Sequence, residues 1–241
     1  MSRVYTDTIE PRKPTQDITL GTSGETISVG ANSINVNTVK DKGGNTLWTS
    51  DGSGNLSSVN SALKGDLVLL TTNTFSNASA SNFTSGIDST YDVYIFKFID
   101  IHNDTDSRDL RWQGSIDGGS NYNVTMTTTV FEANHNEADS AASLAYQTGQ
   151  DLAQSTDFQH LTDNQSNAAD ASSSGTLWLF NPSSTTYVKH WYATMSAMDT
   201  GPGAQTFYTA GYFNDTNNID AVSFKANSGT FDGTIKMYGL L

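Results

Sequence analysis

Apolar and polar residues alternate along most of this chain in short runs, each closed by Gly, Asn, Asp or Ser. A period of two with Val, Ile, Thr, Tyr and Phe prominent predicts strands joined by turns. "DVYIFKFIDI" (Asp92–Ile101) is the clearest strand; "DLRWQGSI" and "YNVTMTTTVF" follow it, and "GTLWLFNP" and "YVKHWYATMSAM" read as a further pair. "TFYTAGYF", "AVSFKA" and "GTIKMYGLL" complete the series. Strands recurring at this spacing predict an all-β fold, an antiparallel β-sandwich or jelly roll, rather than a parallel α/β sheet. In "KHWYATM" the neighbours His190 and Trp191 point to opposite faces, one to the core and one to the surface. The single helix candidate, Glu137–Ser155, has Ala and Leu but little 3.6-residue period, and a decorated loop with one helical turn fits it equally well.

The pattern divides the chain. Residues 18–65 alternate small apolar with polar residues between frequent glycines ("ITLG", "ETISV", "SINVNTV", "NTLWT", "NLSSV"), too little apolar surface for a core of their own. The expectation is an extended N-terminal β region that intertwines with other copies. A soft boundary near Lys64–Asp66 precedes "LVLLTTNTF", which opens a sandwich domain over residues 66–241, with a long polar loop at 134–174. Ahead of both, residues 1–17 form an extended arm with Pro11, Pro14, Arg3, Arg12 and Lys13, its side-chain charges balanced on an otherwise acidic chain and expected to dock on an acidic partner through its three cations. Ile235 and Met237 alternate with Thr234 and Lys236, so the segment to Leu241 reads as an integral strand with its leucines buried.

"GSIDGGSNYN" (Gly114–Asn123) poses the sharpest choice between site and scaffold. Asp117-Gly118-Gly119-Ser120 resembles a cation loop or one copy of an Asp-box. It also sits where a hairpin turn belongs, and paired glycines supply the positive φ such turns need. As a hairpin tip it needs Gly118 and Gly119 for geometry alone, and Asp117→Asn should be nearly silent.

Charge and composition exclude whole classes. The formal charge is -13, and the twelve Lys and Arg are scattered, so nothing could neutralise a run of phosphates or hold an anionic membrane. Without cysteine there is no disulfide frame, thiolate nucleophile or Cys-ligated metal. No signal-peptide run or apolar stretch of spanning length occurs, which predicts synthesis in a cytosol and export, if any, by another route or by lysis. The four histidines, His102, His135, His160 and His190, fall in separate segments, and no G-x-S-x-G, H-E-x-x-H or phosphate-binding loop is present. No cofactor, resident metal or catalytic residue is expected. The weak cation candidates are Asp100, Asp104, Asp106 and Asp109, crowded in "DIHNDTDSRD" beside Arg108, where a solvated loop is the simpler reading. Candidates for stacking on a sugar ring are Trp112, Trp178, Trp191 and Tyr192.

"GGNTLWTSDGSGNLSSV" (Gly43–Val59) resembles the glycine-punctuated shafts near the N-termini of tailed-phage fibre and spike proteins. "GTFDGTIKMYGLL" resembles the closing strand of β-sandwich domains in such virion proteins, and "YDVYIFKFIDI…LRWQGSIDGGSNY" is similar to the same group as a strand pair followed by a turn. The resemblance implies a non-enzymatic virion appendage or head decoration: a homotrimer attached to a particle through its N-terminus, touching other virion proteins and reaching a host-surface glycan. The shortness of the chain leaves little shaft, and no site residues carry over. Two alternatives stand beside it, a carbohydrate-binding module and a glycan-degrading spike enzyme.

Overall fold

The structure is a computed structural model and describes residues 36–60 and 65–240. Arg3, Arg12, Lys13, the strands "ITLG" and "ETISV", and Leu241 lie outside the described residues. Every regular element described is a strand, and the chain divides into two compact units between Leu63 and Lys64.

The first unit contributes β1 (Thr38–Lys40), β2 (Thr46–Ser50) and β3 (Leu56–Ser57), a three-stranded antiparallel sheet in that order. Val39 faces Trp48 across the first pair and Thr49 faces Ser57 across the second. Both turns use one device. In "DKGGN" the Asp41 carboxylate accepts the backbone N–H of Asn45 at 2.9 Å and its side-chain amide at 3.0 Å. In "DGSGN" Asp51 does the same with Asn55, at 3.0 and 2.8 Å. The clip closes a five-residue turn whose glycines take up positive φ, as at Gly44 (83°) and Gly54 (90°). None of the described residues 36–60 is buried.

The second unit is a sandwich of twelve strands in two antiparallel sheets. They are β4 (Leu67–Ala78), β5 (Ser81–Phe83), β6 (Val93–Asn103), β7 (Leu110–Ser115), β8 (Met126–Asn136), β9 (Ala142–Tyr146), β10 (Gln159–His160), β11 (Ser173–Phe180), β12 (Lys189–Met198), β13 (Gly203–Phe213), β14 (Ala221–Ala226) and β15 (Phe231–Leu240). The large sheet has the order β4-β15-β6-β11-β12-β13-β8-β9 and the small one β10-β7-β14-β5. Aromatic rings join their inner faces. Trp112 of β7 meets Trp191 of β12 edge-on at 4.7 Å, and Phe224 of β14 meets Phe96 and Phe98 of β6 at 5.3 and 5.1 Å. Burying each such ring contributes about 2–3 kcal/mol, and edge-to-face geometry adds about 1 kcal/mol. Alternation along β12 sends Trp191 into this core and leaves His190 exposed, as its sequence predicts.

Three expectations change. "DVYIFKFIDI" and "LRWQGSI" are not a strand pair: β6 lies in the large sheet and β7 in the small one. For the same reason "DGGS" is not a hairpin tip, because it carries the chain from β7 in one sheet to β8 in the other. The glycines do take positive φ, 69° at Gly118 and 85° at Gly119, but the turn is held by the Asp117 clip. Asp117 Oδ1 accepts the N–H of Asn121 at 2.8 Å and the Ser115 hydroxyl at 2.7 Å, Oδ2 accepts the Asn121 amide at 2.7 Å, and Gly118 N–H reaches Asp220 at 2.9 Å. Asn in place of Asp117 would replace the charged acceptor of these bonds, so a loss of stability is expected. Finally, the polar stretch 134–174 is not one loop. It completes β8, forms β9 along the edge of the large sheet where a helical turn was an option, and adds β10 to the small sheet.

Candidate functional site

The end of β6 and the loop after it scatter their carboxylates. Asp104 accepts the Thr230 hydroxyl at 3.0 Å, Asp106 accepts the N–H of Asn167 at 3.1 Å, and Asp100 is exposed with φ of 51°. Asp100, Asp104 and Asp106 thus do not join Asp109 in one cation site, the weaker of the two readings of this stretch. Asp109 turns the other way, into the interior, because it immediately precedes β7 and is drawn in with it.

There it meets residues from a distant part of the chain. β10 pairs with β7 so that His160 stands opposite Arg111 and Gln159 opposite Trp112. Arg111 grips Asp109 Oδ2 with Nη2 at 2.7 Å and Nε at 3.2 Å, and His160 Nδ1 lies 3.4 Å from the same oxygen. Asp163, three residues after His160, completes the group; one donor atom from each of Asp109, His160 and Asp163 lies within 4.8 Å of the others. The Asp109 side chain is 7% exposed and that of His160 13%.

A polar lattice holds these side chains. Gln150 donates to Asp163 at 2.8 Å, Gln159 donates to the Gln150 carbonyl at 2.8 Å, and Thr128 on β8 donates to Gln159. Gln147 donates to the buried Glu132 at 2.8 Å. The Thr162 hydroxyl is committed to Leu110 N–H at 2.8 Å and to Gln165 at 2.9 Å. Burial pushes His160 down to about 4, with the Arg111 guanidinium acting the same way against the pull of Asp109. Burial and then the Asp109 carboxylate push Asp163 up to about 6. At neutral pH the imidazole is therefore uncharged and the pair of carboxylates is crowded. Such a group can hold a cation or share a proton.

His160 also lines a cleft of about 640 Å³, with Arg111, Gln150, Asp157, Phe158 and Lys225 among its walls. Lys225 Nζ sits 3.8 Å from the centre of the Phe158 ring, which fixes one side of the opening. The i, i+3 spacing of His160 and Asp163 was visible in the sequence. Their meeting with Asp109 and Arg111 was not, because it depends on the β7–β10 register.

The aromatic candidates split by face. Trp112 and Trp191 are core residues, 0% and 2% exposed, and offer no ring face for stacking. Trp178 and Tyr192 stand on the outer face of the large sheet with rings nearly parallel, 13° apart at 6.0 Å. Tyr192 has Trp178 opposite it on β11 and Ala210 opposite it on β13. Because Ala210 has no ring, a groove of about 350 Å³ opens beside Tyr192, edged by Phe180, Thr129, His190 and Tyr212.

Comparison of the chain with protein-family models, with curated proteins and with solved structures gave no match.

Proposed function

We propose that the chain is a non-enzymatic structural protein of a phage-type particle, a short homotrimeric fibre, spike or decoration whose N-terminal region carries both assembly and attachment. One observation carries the reading: the sheet of β1, β2 and β3 is well hydrogen-bonded, yet none of its residues is buried. A two- or three-stranded sheet without a covered face is marginal by itself, so other copies would supply the cover. The -13 charge, the absence of cysteine and the Gly-Asn turns suit a stable assembly in a virion. Light scattering on the full chain and on residues 18–241 and 65–241 tests it. Trimers are expected for the first two and a monomer for the third; a monomeric full chain would remove the reading.

A carbohydrate-binding role is the second reading, and the groove beside Tyr192 favours it. Trp178 and Tyr192 make two layers of a stack whose third place, above Ala210, is open to the flat face of a sugar ring. Glycan-array screening of the full chain, repeated with Tyr192→Ala, tests this; binding that survives the substitution would count against the groove.

A further inference from the structure

The cluster at β7 and β10 has the features of a metal site, and this inference is independent of the assembly reading above. Three donors of the right chemistry, two carboxylates and an imidazole, present atoms all within 4.8 Å of one another. One ion bonded at about 2.0–2.4 Å to each donor demands that no two of them be more than about 4.8 Å apart. A second observation is independent of the carboxylates. His160 Nδ1 is a buried atom with no hydrogen-bond partner, although Asp109 Oδ2 lies only 3.4 Å away. A buried ring nitrogen without a partner carries a desolvation cost, and a shared ligand removes it. Two donor atoms close together without a hydrogen bond between them are also how neighbouring ligands of one ion stand.

We propose that Asp109, His160 and Asp163 bind one divalent transition-metal cation, of the Zn²⁺ or Mn²⁺ kind, behind the wall of the 640 Å³ cleft that His160 lines. The imidazole decides the class, because nitrogen with two carboxylates suits borderline metals, whereas calcium takes a larger set of oxygens. The protein supplies three ligands, and the cleft reaches the cluster on the His160 side, the one ligand of the three that lines it. Outer partners are already in place: Gln150 orients Asp163 at 2.8 Å and Arg111 orients Asp109 at 2.7 Å. The Arg111 charge also opposes a second positive charge, so the site is one of moderate affinity. Bound metal would tie together the start of β7, the two-residue strand β10 and the turn at Asp163. It would thus staple the polar stretch between β9 and β11 to the sandwich.

The test uses the full chain after chelator treatment. Calorimetric titration with Zn²⁺ should give one site per chain, and the thermal midpoint should rise with Zn²⁺ or Mn²⁺ more than with Ca²⁺. His160→Gln and Asp163→Asn should each weaken binding by about tenfold or more, while Asp139→Asn, at the exposed His135–Asp139 pair, leaves it unchanged. Co²⁺ added to the unsubstituted protein should show visible d–d bands of a nitrogen-ligated site, which keeps the proposal testable if a substituted chain does not fold. The proposal is overturned by an absence of stoichiometric binding, by binding that survives both substitutions, or by Co²⁺ bands indistinguishable from the hydrated ion.

Discussion

The three-stranded sheet of the first unit and the sandwich are built with the same turns and stabilised by different means. Asp41–Asn45, Asp51–Asn55 and Asp117–Asn121 are one five-residue clip, used twice in the first unit and once in the second. What separates the units is the interior. The sandwich encloses Trp112, Trp191, Phe96, Phe98, Phe213 and Phe224 between two sheets, whereas Trp48 on β2 is only half-buried. Local turn chemistry sets the path of a chain; apolar burial makes that path cooperative.

The difference can be broken first at the core. Trp112→Ala should cost about 3–5 kcal/mol of sandwich stability, read by denaturant unfolding of the full chain. Trp48→Ala should leave that transition within about 0.5 kcal/mol, since it removes nothing from the sandwich interior. Equal losses for the two would mean that the units share one core.

A second, smaller effect comes from the shared turn. Gly119 has φ of 85°, and a Cβ there would lie 2.7 Å from the Tyr122 hydroxyl and 2.8 Å from Thr84 Cγ2. Gly119→Val should therefore cost about 2–3 kcal/mol, whereas Gly118→Val, strained but with open space around it, should cost about 1–2 kcal/mol. Matching melting temperatures for the two variants would show that crowding at Gly119 is relieved by movement of Tyr122.

The clip itself comes next. Asp117→Asn should destabilise the sandwich by about 1 kcal/mol, through the amide now facing Asn121. Asp51→Asn should change only the amide signals of residues 51–57 and leave the sandwich melt where it is. A silent Asp117→Asn would restore the view that glycine geometry alone makes the turn.

The smallest effect is acid sensitivity. Hydrogen bonds from Asn45, Asn55 and Asn121 hold the carboxyls of Asp41, Asp51 and Asp117 below the usual carboxylate range. A depressed folded value means that the clip's contribution is present above the unfolded value, near 4, and is lost as pH falls through the folded one. Because all three groups are exposed, the loss is local. Carboxyl carbon shifts of the three followed by NMR should titrate below the free-peptide aspartate value of about 4, and titration at that value would show that the clips do not persist in solution.

Much of the sandwich is written in its period-two pattern. β6, β11, β12, β14 and β15 fall where alternation places them, because each has one face in the core and the chemistry of the two faces differs. β9 and β10 are not legible in this way. Ala142–Tyr146 is exposed throughout and Gln159–His160 is two residues long, so neither has a buried face to mark it. Sheet membership is hidden for another reason: nothing in "LRWQGSI" says that its partners are Ser223 and Gln159 rather than the strand before it. The site inherits that obscurity. Asp109 was legible only as one of several loop acids, and its true neighbours follow from the β7–β10 register. The exposure of Trp178 and the burial of Trp191 likewise depend on which face the small sheet covers.

The position of β15 between β4 and β6 also sets the order in which the sandwich can be made. β4 is twelve residues long, contains neither charge nor proline, and bonds within its sheet only to β15. Thr74 and Thr234, which bond across that pair, are 160 residues apart. On a ribosome, β4 therefore emerges long before its partner and must wait with its backbone unpaired. Contacts of such sequence separation fold slowly and leave intermediates prone to pairing with one another. The polar run Thr71–Thr74 within β4 lowers that hazard during the wait, and β4 joins the large sheet only once β15 has been translated.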